Sequence, residues 1–108
     1  MSARYHKEIL QIDCEAEAGR ICAFIVEQMR SLRRHGIVIG ISGGIDSAVV
    51  AVLCQRAFPQ NTMAINLPCY SNPEDQVHAR LVAEKFSIHY EVVILDSIYD
   101  NLLKILFG

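Results

Sequence analysis

No run of apolar residues in this chain of 108 approaches the roughly twenty needed to cross a bilayer as a helix, the longest being Ala48 to Cys54. A membrane role is not expected. The first residues, Met1-Ser2-Ala3-Arg4-Tyr5-His6-Lys7-Glu8, contain no hydrophobic stretch followed by small residues, so no secretory leader is expected and a cytoplasmic location is. The four cysteines, Cys14, Cys22, Cys54 and Cys69, include no C-x-x-C pair and sit mainly in apolar surroundings. That pattern reads as reduced core thiols, not as a disulfide frame or a zinc site. An excess of either charge is missing too: ten Lys and Arg face twelve Asp and Glu, a net charge of −2, which offers no long-range attraction to nucleic acid or an anionic membrane. Lysine is absent between Lys7 and Lys85, so the G-x-x-x-x-G-K-[ST] phosphate loop is excluded.

What is present is material for a core. Apolar residues make up 52 % of the chain and charged ones 20 %, too rich in burial-capable side chains for disorder. The length suits one domain, and neither repeats nor a linker divide it. Apolar or small residues at Ile9, Ile12, Ala16, Gly19, Ala23, Val26 and Met29 recur at helical spacing and predict a helix from near Asp13 to Arg34. Arg30, Arg33 and Arg34 then complement its carbonyl end, and Gly36 is the expected stop. Gly36 to Ile41 is short, β-branched and apolar on both alternating faces, as a central parallel strand is. The stretch from Asp46 to Cys54, apolar all round and closed by Pro59, predicts a buried helix. Thr62 to Leu67 predicts a second strand, and Glu74 to Phe86 a helix with Pro73 in its first turn and Ser71 or Asn72 as cap. Ile88 to Leu95 predicts a third strand; Asp96 or Ser97 is expected to cap a last helix whose Ile98, Leu102, Ile105 and Leu106 share a face. This alternation predicts an α/β fold, a parallel sheet of three strands with helices on both faces.

The chemistry concentrates between the first strand and the second helix, in Gly40-Ile41-Ser42-Gly43-Gly44-Ile45-Asp46-Ser47. Adjacent glycines let the backbone bend sharply and bring its amides close to a ligand. The mouth of the following helix adds unpaired N–H groups and the positive end of its dipole, and Ser42 and Ser47 add hydroxyls. A di- or triphosphate is the ligand this favours. Asp46 would repel phosphate unless a divalent cation lay between them, and magnesium takes one or two carboxylates together with phosphate oxygens. The plainer role for Asp46 is to cap the helix. Gly40, Gly43 and Gly44 do not supply the G-x-G-x-x-G of a dinucleotide fold.

Ser42-Gly43-Gly44-Ile45-Asp46-Ser47 resembles the S-G-G-x-D-S pyrophosphate loop of the N-type ATP pyrophosphatases. The wider pattern from Gly40 to Val50, the loop Leu67-Pro68-Cys69-Tyr70-Ser71-Asn72 and the spacing Ala79, Val82, Ala83 are most similar to the NAD synthetase family, over its N-terminal part only. The resemblance implies a Rossmann-like, adenine nucleotide alpha hydrolase-like fold. It also implies ATP and Mg2+ as ligands, with residues 40 to 47 on the phosphates and Asp46 on the metal. Deamido-NAD and ammonia, free or derived from glutamine, would be the substrates, the carboxylate being adenylated and then amidated. Ile65 to Leu67 would line an adenine pocket through backbone groups.

His78 stands where that family often has an acidic residue and is read as a solvated helix histidine. His6, His35 and His89 have no partners spaced for a triad, and Tyr70, Tyr90 and Tyr99 are read as packing residues. Family members continue through further strands, so residues 1–108 are expected to be one N-terminal portion of such a domain. Its first strand would be left with a bare edge, to be covered in a homo-oligomer or by a missing C-terminal segment. Two other readings stand beside this one: another N-type ATP pyrophosphatase, GMP synthetase-like or tRNA-modifying, and a non-catalytic nucleotide-binding or oligomerising module.

Overall fold

The computed structural model describes residues 12–108, so the readings placed on His6 and Ile9 lie outside the described residues. Asp13 opens the first helix, α1 (Cys14–Ser31), by accepting the Ala16 amide at 3.2 Å. The helix ends three residues earlier than Arg34, and its stop is not Gly36. Arg33 takes the left-handed conformation, φ 55°, while its amide donates to the Arg30 carbonyl and the Arg34 amide to Met29. These two bonds satisfy the last carbonyls as a Schellman turn does, with arginine where glycine is usual.

Strand β1 (Ile37–Gly40) leads through a turn into α2 (Ile45–Ala57), followed by β2 (Thr62–Asn66), α3 (Pro73–Lys85), β3 (His89–Val92) and α4 (Asp96–Phe107). The three strands are parallel in the order β1-β2-β3, with Ile39 opposite Ala64 and Ala64 opposite Tyr90. The α/β class, the three-stranded parallel sheet and its alternation with four helices are as expected. Asn72 is the cap of α3, accepting the Glu74 amide at 3.0 Å, with Pro73 directly after it. The Thr62 hydroxyl donates to the carbonyls of Cys54 and Phe58, which ties the end of α2 to the start of β2.

The core is small-residue packing. Ala51 from α2 and Ala79 and Ala83 from α3 meet Ile41, Ala64 and Ile88 in one buried cluster. Alanine at those positions lets the helix backbones approach the sheet closely. Cover beyond this cluster is uneven: α2 is not buried all round, since Ile45, Val49 and Val50 stay exposed while Ala51 and Cys54 are buried. Helix α1 lies against α2, with the Cys22 thiol donating to the Leu53 carbonyl and Arg56 paired to Glu15 at 3.4 Å. Helix α4 buries none of its residues. Val38 on β1 is 63 % exposed, and among the described residues β1 has a neighbour on one side only.

Candidate functional site

At the end of β1 the chain is pinned before it turns. The Ile41 amide donates to the Ile65 carbonyl at 2.9 Å, and the Ile41 carbonyl accepts from the buried Asn66 side chain at 2.6 Å. The turn that follows treats its two glycines differently. Gly43 has φ 88°, and a Cβ there would stand 2.6 Å from the Asp75 carbonyl oxygen, so both conformation and space demand glycine. Gly44 is extended, φ −81° and ψ 163°, and caps α2 through its backbone; a Cβ there would meet only the Ser42 hydroxyl at 3.5 Å.

Ser42 and Ser47 brace this turn. The Ser47 Oγ accepts the Ser42 amide at 3.1 Å, the two hydroxyls lie 3.1 Å apart, and Ser47 Oγ donates to the Gly44 carbonyl at 3.3 Å. The Gly44 amide donates to Ser42 Oγ at 3.4 Å and the Ala48 amide to the Gly44 carbonyl at 3.2 Å. The amides of Gly43, Ile45, Asp46 and Ser47 donate to no protein acceptor among the described residues. Such a row of free N–H groups at a helix mouth, on the positive side of the helix dipole, is an anion receptor.

A cleft of about 280 Å³ opens beside the turn, at the C-terminal ends of β1 and β2. Gly40, Ile41 and Ser42 line it from one side; Ile65, Asn66, Leu67, Pro68, Ser71, Asp75 and Gln76 line it from the other. Of the eight residues read as the site, these first three reach the cleft, while Gly43, Gly44, Ile45, Asp46 and Ser47 continue past it into α2. Ile65, Asn66 and Leu67 are all among the lining residues. Asp75 and Gln76 were missed. In open parallel sheets ligands sit beyond the C-terminal strand ends, which points to the last residue of β2 and the first turn of α3.

Asp46 is not the cap of α2, because Gly44 occupies that position. Its carboxylate lies in the first turn, exposed, and makes no hydrogen bond or ion pair among the described residues. No three metal-ligating side chains gather among the described residues. A divalent ion held here would take one carboxylate and complete its shell from phosphate and water, which suits magnesium and not zinc.

The histidines among the described residues stay out of the cleft. His35 and His78 are exposed, and His89 faces Glu91 at 3.1 Å. Tyr90 packs against the core, and burial pushes its phenol pKa up. Tyr70 and Tyr99 meet edge to face with ring centres 6.0 Å apart. The Tyr70 hydroxyl donates to the Asp100 carboxylate, and this bond first, then desolvation and the charges of Asp100, Asp96 and Cys69, push its pKa up to about 12.

Residues 17–106 match the family model described as NAD synthase. The chain is 38 % identical over 95 residues to an NH3-dependent NAD+ synthetase of Carboxydothermus hydrogenoformans, a match covering 88 % of this chain and 39 % of that protein. It is similar to the solved NH3-dependent NAD synthetase of Campylobacter jejuni, with TM-score 0.83, 32 % identity and coverage of 91 % of this chain and 43 % of that one. It is also similar to the NMN synthetase of Francisella tularensis, with TM-score 0.83, 26 % identity and coverage of 89 % and 40 %. The chain spans about 40 % of the length of the relatives it matches, their N-terminal part. With its fold and its sequence agreeing over nearly all its residues, the chain belongs to the NAD synthase family.

Proposed function

We propose that residues 1–108 form a single N-terminal portion of an ammonia-using NAD synthetase and bind Mg-ATP through the turn from Ser42 to Ser47. The observation that carries this reading is the set of four unpartnered amides beside a cleft at the ends of parallel strands. In the reaction of such a synthetase a carboxylate oxygen of deamido-NAD attacks the α-phosphorus of ATP. The bond from that phosphorus to the bridging oxygen breaks, and pyrophosphate leaves with the electron pair. Ammonia then attacks the acyl carbon, AMP departs, and the spare proton goes to solvent. The work of this chain is at the leaving group, where its amides and the α2 dipole stabilise the charge that gathers on pyrophosphate. Asp46 would hold magnesium, which when bound neutralises charge on the phosphates.

The bare edge of β1 and the exposed Val38 fit a chain covered in a homo-oligomer or by a further C-terminal segment, and a cytoplasmic location fits the free thiols among the described residues. The similarity to an NMN synthetase favours a second reading in which the carboxylate belongs to a nicotinic mononucleotide. Calorimetry tests the core of the proposal. Mg-ATP and Mg-pyrophosphate are expected to bind, and Asp46→Asn to remove the dependence on magnesium. Absence of binding by the parent chain would overturn it. Formation of AMP and pyrophosphate with ammonia and each carboxylate in turn separates the two substrates.

A further inference from the structure

The loop between β2 and α3 supplies one wall of the cleft through Leu67, Pro68 and Ser71. Tyr70, between them in the chain, is not among the lining residues and is held from outside the loop. The Tyr70 amide donates to Asp96 Oδ1 at 2.8 Å, and the Tyr70 hydroxyl lies 2.7 and 2.6 Å from the two Asp100 oxygens. The Pro68 carbonyl accepts the Leu95 amide at 2.8 Å, so the wall is bonded at two alternate residues to the start of α4. Tyr70 adopts φ 51°, a left-handed backbone that tyrosine rarely takes.

Asp96 or Ser97 was expected to cap α4, yet Leu95 stands at the cap position with no side-chain bond, and the Asp96 carboxylate, in the first helical turn, accepts from Tyr70. None of the α4 residues is buried, so this attachment is not a by-product of helix packing. The Tyr70 hydroxyl reaches the carboxylate one turn further on, and its ring rests on Tyr99.

We propose that Tyr70, clamped by Asp96 and Asp100, is a positioning residue that latches the β2–α3 loop and so sets the cleft wall that receives the nucleoside half of the ligand. The latch acts on the wall and not on the phosphate turn, whose bracing runs through Ser42, Ser47 and Asn66. It rests on the reading of the cleft as a Mg-ATP site.

The test compares Mg-ATP with Mg-pyrophosphate on the full chain, because pyrophosphate has phosphates and no nucleoside. Tyr70→Phe keeps the ring and removes the hydroxyl; Asp100→Asn keeps the shape and removes the charge. Each is expected to raise the Kd of Mg-ATP by about tenfold, the loss of a hydrogen bond to a charged group, with the double variant no worse than either single one. The Kd of Mg-pyrophosphate should stay within about twofold, a selectivity that loss of fold would not give. Unchanged Mg-ATP binding in both variants would overturn the latch alone, as would an equal loss for both ligands. Failure of the parent chain to bind Mg-ATP would defeat the reading of the cleft, and the latch's part in binding with it.

Discussion

Replacing Gly43 by alanine attacks the turn at the point where conformation and space coincide. At φ 88° an L-residue costs about 1–2 kcal/mol. The new Cβ would also stand 2.6 Å from the Asp75 carbonyl oxygen and 3.1 Å from its Cα, so backbone must move on one side or the other. Forced displacement of this kind costs about 1–3 kcal/mol. The sum, about 2–5 kcal/mol, is a large share of what holds a domain of this size folded. Gly44→Ala is the matched control: φ −81° suits alanine, and the nearest atom lies at an ordinary 3.5 Å. Its effect should stay within about 0.5 kcal/mol. Urea unfolding gives the stability difference, and titration with Mg-pyrophosphate shows whether the turn still receives an anion. Gly43→Ala should lose both, Gly44→Ala neither. Equal damage from the two substitutions would refute the reasoning, because it would mean that the approach to Asp75 is not what selects glycine.

Asn66→Ala removes the 2.6 Å bond to the Ile41 carbonyl and should lower stability by about 1–3 kcal/mol in urea; an unchanged midpoint would show that this bond does not hold the strand ends together. Cys54 is buried and burial pushes its thiol pKa up, whereas Cys14 is exposed, so a disulfide reagent should label Cys14 first and Cys54 only as the protein unfolds. Equal labelling rates would contradict the packing of α2. The Tyr70 phenol, ordinarily near 10, should titrate at about 12 in the difference spectrum between the parent and Tyr70→Phe. Because the folded value is the raised one, the stability it contributes is complete below pH 10 and drains away as pH climbs towards 12. Over that interval the parent should lose more stability than Tyr70→Phe, and parallel losses would count against the Asp100 contact.

The fold was legible where local chemistry decides it. The β-branched Ile37 to Ile39, the Asn72-Pro73 start of α3 and the turn after Gly40 carry their structure in adjacent residues. The end of α1 was read less well, because Arg33 stands where glycine is the usual signal. Asp96 or Ser97 was read as the cap of α4, but Leu95 holds that position and Asp96 accepts from Tyr70, 26 residues away, a contact that nothing in the local sequence announces. Distance in the chain also hid the inequality of Gly43 and Gly44, which exists only because α3 brings the Asp75 carbonyl against one of them. The turn after β1 was visible in six letters; the residues of α3 that face it across the cleft required the sheet.

Helix α3 closes as α1 does, with Ser87 at φ 54°, its amide donating to Glu84 and that of Ile88 to Ala83. Both left-handed positions lie outside the cleft lining, and both carry a side chain where none is needed. Glycine at either place would relieve about 1 kcal/mol of torsional strain, less the extra freedom it gives the unfolded chain. The molecule thus holds an unused reserve of robustness at its two helix ends, open to engineering without disturbing the chemistry beside Ser42.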